Sequence, residues 1–205
     1  KAITVQRPIA MPALSEKDKA AMEIGMQFGV RHFALSFANH AADIEEMRKI
    51  VGDDSFIISK IECKNGIENL DGIIEKSNAV LIDRGDLSRE MPLERIPELQ
   101  KMIIRRAKSQ NRAVYVATNL LESMITEPSP TRAEVNDIHN TLLDGADGLV
   151  LAAETAIGKY PIRCANMIVR MIDCYDRGSL PDDPTSFDTT SLLVKPHGGS
   201  LSISC

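Results

Sequence analysis

FIISKIECKNGIENLDGIIEKSNAVLIDRGD, residues 56–86, is the stretch whose reading decides the fold. It opens on a short apolar run, Phe56–Ile61, and closes on another, Ala79–Asp83, with a helical pattern over Ile67–Lys76 between them. Runs this short and this continuously apolar belong to strands covered on both faces. Two such strands joined by a helix form a unit whose strands run parallel, with a right-handed crossover.

The rhythm extends in both directions. Further apolar runs lie at His32–Phe37, Ala113–Ala117 and Gly148–Ala152. A helix is predicted to start after Ser15, whose hydroxyl suits an N-cap ahead of Glu16, Lys17 and Asp18, and to stop at Gly29. Others are predicted at Ala41–Val51, Pro97–Ser109, Thr131–Leu143 and Pro161–Tyr175. Strands alternating with helices form a parallel sheet, either closed as a barrel or open and doubly wound. An open dinucleotide-binding sheet would carry a Gly-rich turn after its first strand, and a P-loop would carry Gly-Lys-Ser/Thr; neither motif is present. The expectation is therefore α/β, a partial (β/α)₈ barrel of the TIM type with five parallel strands, where a closed barrel has eight strands and about 250 residues. Residues 1–177 carry this pattern. Residues 178–205 begin with Pro, Asp, Ser and Thr in linker proportions and are read as linker and tail.

Composition narrows the function. The 205 residues are 43% hydrophobic and 26% charged, with a net charge of -5 and dispersed basic residues, which argues against a nucleic-acid binder. Cys63, Cys164, Cys174 and Cys205 show no close metal-type or redox pairing, and nothing in these residues resembles a signal peptide or an apolar run of membrane-spanning length. A reduced, cytoplasmic protein without membrane partners is expected.

Chemistry collects at the carboxyl ends of the runs. Ser36 and Asn39 follow the first, Lys60 and Glu62 end the second, Arg84 and Asp86 the third, Thr118 and Asn119 the fourth, and Glu154 and Thr155 the fifth. Parallel barrel strands bring those ends to one rim, where barrel enzymes keep their sites. Lys60 and Glu62, two apart on a strand, project to the same face. An isolated Lys-x-Glu is commonly a structural ion pair, but a second acidic strand end in the same sheet argues for a site. Glu62 and Asp86 suit a hard divalent ion, Mg²⁺ or Mn²⁺, and Lys60 beside it suits a transferring phosphoryl group or an enolate. Arg84-Gly85-Asp86 also spells an adhesion tripeptide; in a cytoplasmic chain Gly85 is better explained by close backbone approach to a ligand or turn.

Several motifs in order carry a resemblance. They are PALSEKD at 12–18, ISKIE at 58–62, RGDL at 84–87, AT at 117–118 with LESM at 121–124, PTRAE at 130–134, DGAD at 144–147 and ETAIGKYP at 154–161. Together they are similar to pyruvate kinases, over most of Pro12 to Tyr175. The resemblance implies that Glu62 and Asp86 hold the divalent metal and that Lys60 stabilises the moving phosphoryl group. It also implies that the amides around Gly85 and Asp86, with Thr118, hold the carboxylate of phosphoenolpyruvate or pyruvate, and that Thr118 stands near the face where the enolate is protonated. Arg84 is expected at the substrate. The segment Leu121–Glu134 resembles one that packs across subunit interfaces, so a homo-oligomer is expected.

The departures matter as much. The family's first three strands, which touch phosphate and a monovalent cation such as K⁺, have no counterpart here, nor do its lid domain, which helps close over the nucleotide, and its regulatory domain. A basic rim residue is replaced at Asn39, Gln by Asn119, Ser-Gly by Ala152-Ala153, and a small residue ahead of Arg84 by Asp83. The tail LLVKPHGGSL, 192–201, is similar to the opening of ATP sulfurylases. Two readings follow. One is a pyruvate-kinase-like phosphotransferase whose nucleotide is bound only by a longer protein, this chain being inactive alone. The other is a regulatory or structural module, or a different enolpyruvate enzyme, fused ahead of a sulfate-activating domain.

Overall fold

The computed structural model describes residues 12–177. The expected linker and tail, 178–205, and the 192–201 stretch lie outside the described residues. Five strands form one parallel sheet in chain order: β1 (His32–Leu35), β2 (Phe56–Ile61), β3 (Ala79–Asp83), β4 (Ala113–Ala117) and β5 (Gly148–Val150). Each strand pairs with the next in sequence, so every crossover winds the same way. Among the described residues there is no reversal of strand order of the kind that marks a doubly wound sheet, and the sheet does not close. It is a barrel sector, as the apolar runs imply.

Helices α1 (Glu16–Gln27), α2 (Ala41–Val51), α3 (Lys64–Glu68), α4 (Leu70–Lys76), α5 (Arg84–Glu90), α6 (Ile96–Ser109), α7 (Arg132–Leu143), α8 (Ala153–Ala156) and α9 (Pro161–Asp176) fill the connections. Alternate strand residues Ile57, Ile61, Val80, Ile82, Val114 and Val116 are fully buried, in one core with Ile44, Ile73 and Ile103 from the helices. Truncating one of these to Ala would cost about 2–5 kcal/mol. A second core joins Leu120, Leu121, Ile138, Cys164 and Ile168.

The register defines the opposite face. Ala34, Ile58, Ala79 and Ala113 lie side by side, then Lys60, Leu81, Tyr115 and Gly148, then Asp83, Ala117 and Val150. These are layers of the kind that fill a barrel interior. Apolar residues make up the first layer, a lysine enters the second, and carboxylates cap the rim.

Local differences from the sequence expectations have visible causes. β1 ends at Leu35 rather than Phe37, because Phe37 turns to φ +50. β5 ends at Val150 rather than Ala152, where the chain bends into α8. The helix expected over Ile67–Lys76 begins at Lys64 and breaks at Asn69 (φ -105, ψ 18) into α3 and α4. Helix α5 was hidden in the RGDLSRE stretch; Asp83 caps it by accepting from the Asp86 amide. Ser15 forms the N-cap expected of it, and both it and Thr131 make reciprocal caps, with Asp18 and Glu134. No described helix is long and apolar enough to cross a membrane.

Candidate functional site

Lys60 rises from the second layer of the inner face, and its ammonium lies against Glu62 and 3.2 Å from Asp83 Oδ2. Glu62, just past β2, is 1% exposed, and its Oε2 accepts the Phe37 amide at 2.6 Å. The positive φ of Phe37 accompanies that turn of the amide; such a backbone is uncommon outside glycine and clusters at functional sites. Glu62 Oε1 touches the Lys60 ammonium but makes no hydrogen bond of good geometry, so a buried carboxylate oxygen remains incompletely satisfied.

Asp83 ends β3 two residues beyond Leu81, which places it on the same face as Lys60 and one layer nearer the rim. Its Oδ1 lies 3.2 Å from the Thr118 hydroxyl and 3.5 Å from the Asp86 amide. Asp86, in the first turn of α5, pairs with Arg89 at 3.2 Å. Glu62, Asp83 and Asp86 each place a carboxylate oxygen within 4.8 Å of the others. All the donors are hard oxygens, one of them buried and underused, a set that fits Mg²⁺ or Mn²⁺.

Thr118 stands at φ +70 and Asn119 at φ +56, a sharp corner after β4. The corner aims the Thr118 hydroxyl at the amide of Gly85, which donates to it at 2.8 Å. A Cβ at Gly85 would lie 3.4 Å from Thr118 Oγ1, at the near edge of van der Waals contact. Arg84 is placed differently from the rest. Its guanidinium donates to Asp137 at 2.8 Å and to the Thr118 carbonyl at 2.9 Å, tying the strained corner to α7. It lines a pocket of about 700 Å³ beside the cluster, together with Asp83, Asp86, Thr118, Asn119 and Arg89.

Burial opposes the Lys60 charge, but the Glu62 and Asp83 carboxylates outweigh it and hold its pKa above the usual lysine value. Burial dominates at Glu62 and pushes its pKa up despite Lys60 and the Phe37 amide. At Asp83 burial is overcome by Lys60, the Asp86 amide and Thr118, so its pKa is lowered. Lys60 therefore faces two of the carboxylates and Arg89 the third, so three carboxylates share two cations and the cluster is short of positive charge.

The structure thus brings together Lys60, Glu62, Gly85, Asp86 and Thr118, all singled out from the sequence. It adds Asp83, which counted there only as a departure. The available signal was an acidic residue closing an apolar strand three positions before Asp86. Glu154, 1% exposed, accepts from the amides of Leu121 and Ala152 and is a brace for the β5 end rather than part of the cluster.

The family description "Pyruvate kinase, barrel domain" matches residues 3–165. Among curated relatives, the pyruvate kinase of Methylorubrum extorquens is 40% identical over 172 residues, 84% of this chain and 36% of its own length. That of Thermoplasma acidophilum is 38% identical over 187 residues, covering 90% of this chain and 33% of the relative. That of Thermotoga maritima is 42% identical over 167 residues, covering 80% and 36%. The chain spans about a third of the length of these relatives. With motifs, parallel topology and rim in agreement, the chain belongs to the pyruvate kinase family, in its barrel domain.

Proposed function

We propose that the rim of this barrel sector binds a divalent cation together with phosphoenolpyruvate or pyruvate. The observation that carries this is the convergence of Lys60 with Glu62, Asp83 and Asp86 at the ends of adjacent strands. Glu62 and Asp86 would hold the ion, which supplies Lewis-acid stabilisation to enolate and phosphoryl oxygens. The Thr118 hydroxyl and the amides of Gly85 and Asp86 would orient the substrate carboxylate, Thr118 facing the carbon that is protonated. Arg84 borders the substrate pocket and contributes by holding the Thr118 corner. The Lys60 ammonium would stabilise the phosphoryl group in flight, its raised pKa keeping it charged at neutral pH.

Phosphoryl transfer to a nucleotide is proposed for a longer protein, with K⁺ as a further cofactor there. The cations around the cluster are already committed, Lys60 to Glu62 and Asp83, Arg89 to Asp86, and Arg84 to Asp137. Turnover by the purified 205-residue chain would overturn this part. Self-association through Leu121–Glu134 is also proposed; a single monomeric mass in light scattering at all concentrations would refute it. The central test is Mn²⁺ binding followed by electron paramagnetic resonance. Glu62→Gln should weaken it at least about tenfold, a loss of about 1.4 kcal/mol. Equal binding by the two proteins would remove the metal assignment.

A further inference from the structure

Asp83 stands where the family resemblance leads one to expect a small residue, and it engages three groups the proposed reaction needs. Its Oδ2 is 3.2 Å from the Lys60 ammonium, and its Oδ1 is 3.2 Å from the Thr118 hydroxyl and 3.5 Å from the Asp86 amide. These are donors assigned above to the substrate's phosphoryl and carboxylate oxygens. The same carboxylate reaches within 4.8 Å of the oxygens of Glu62 and Asp86. Asp83 therefore faces a cation site and an anion site at once, with one negative charge.

We propose that Asp83 is a specificity-determining residue that strengthens divalent-ion binding at the rim and competes with the phosphoryl and carboxylate oxygens of an incoming anionic substrate for Lys60 and Thr118. The inference rests on the reading of the rim as a metal and enolpyruvate site. Its physical basis is charge. With Asp83 ionised, Lys60, Arg89 and the three carboxylates sum to one negative charge, so a divalent ion leaves the rim with one positive charge; with a neutral residue at 83, the ion-bound rim offers two to the substrate. The two effects of Asp83 must then have opposite signs, which separates this role from simple support of the fold.

The structural role of Asp83 is real, since it caps α5. Asn caps a helix about as well as Asp, so Asp83→Asn removes the charge and keeps the cap, whereas Asp83→Ala removes both. The experiment titrates the whole 205-residue chain with Mn²⁺ alone and then, at saturating Mn²⁺, with phosphoenolpyruvate. A unit charge a few ångströms from both ligands, partly screened by water, corresponds to about a tenfold change in each affinity. Both variants should bind Mn²⁺ about tenfold more weakly and phosphoenolpyruvate about tenfold more tightly than the parent. Weakening of both ligands, or an effect confined to Asp83→Ala, would overturn the proposal and leave Asp83 as a cap. Unchanged phosphoenolpyruvate binding in Asp83→Asn would overturn it as well. If the parent chain binds no Mn²⁺, or binds it with an affinity that Glu62→Gln leaves unchanged, the rim reading fails and the proposal falls with it.

Discussion

Replacing Lys60 by Met keeps the stem and removes the one charge that faces both Glu62 and Asp83. Glu62 is 1% exposed, so its carboxylate is left with little water to replace the ammonium. Breaking a fully buried pair in this way costs about 3–5 kcal/mol. The Lys60 side chain is 23% exposed, so solvent screens part of the interaction and about 2–3 kcal/mol is expected near pH 8. For a domain of this size that corresponds to a Tm lowered by about 5–10 °C.

The pH dependence distinguishes this origin from a packing defect. Burial already holds the Glu62 pKa above its ordinary value, and loss of Lys60 removes a group that was pulling it down. A carboxyl whose folded pKa lies above its unfolded value binds a proton on folding. Its stability cost is absent below the unfolded pKa and grows as pH rises through the folded one. The Lys60→Met deficit should therefore be smaller at pH 5 than at pH 8. Urea unfolding at both pH values, with Glu62→Gln added on the same background, measures it. The double variant should recover most of the loss at high pH. A deficit equal at the two pH values, or no recovery on adding Glu62→Gln, would show that the pair is not what Lys60 stabilises.

Two further outcomes follow from the same reasoning. Glu134 accepts from the Ser123 amide and hydroxyl at 2.7 and 2.6 Å and from the Thr131 amide and hydroxyl at 2.7 and 2.8 Å. Burial opposes its charge, but these donors win and lower its pKa, so its contribution is present above the unfolded pKa and lost as pH falls through the folded one. Glu134→Gln should cost about 1–2 kcal/mol at neutral pH, and paired acid titrations should converge as pH drops; parallel curves would contradict the assignment. At Gly158 an added Cβ would lie 2.2 Å from the Glu154 carbonyl oxygen, a backbone atom that cannot swing away. Gly158→Ala should lower stability by about 2–4 kcal/mol, while Gly72→Ala in α4, whose Cβ meets only Ala41 at 3.5 Å, should raise it by about 0.5–1 kcal/mol. Thermal melts that rank the two in the other order would refute this.

The parts of the fold that were legible are those written over many residues at once. Phe56–Ile61, Ala79–Asp83 and Ala113–Ala117 are strands over the full extent of their apolar runs; the central β3 is buried at every position, while β2 and β4 bury one face and half-bury the other. The less legible parts depend on single backbone choices. Phe37 and Thr118 take positive φ with side chains that do not announce it, and the strand ends at β1 and β5 shorten where the chain turns toward the rim. Asn69 splits a helix whose apolar pattern reads straight through.

The same distinction explains why Lys60, Glu62, Asp86 and Thr118 could be placed at one rim from the sequence while Asp83 was passed over. Rim membership follows from a residue's position at the end of a parallel strand, which is a local property. Contact between Lys60 and Asp83 follows from register. Lys60 sits opposite Leu81, and the two-residue repeat then sets Asp83 on the same face, one step nearer the rim. Had β3 slipped by one residue, Asp83 would have entered the helix-covered layer occupied by Ile82, where an ionised carboxylate would be costly. The apolar residues Val80 and Ile82 therefore fix the register that delivers a second carboxylate to the ammonium, and the chemistry of the rim is set by the packing behind it.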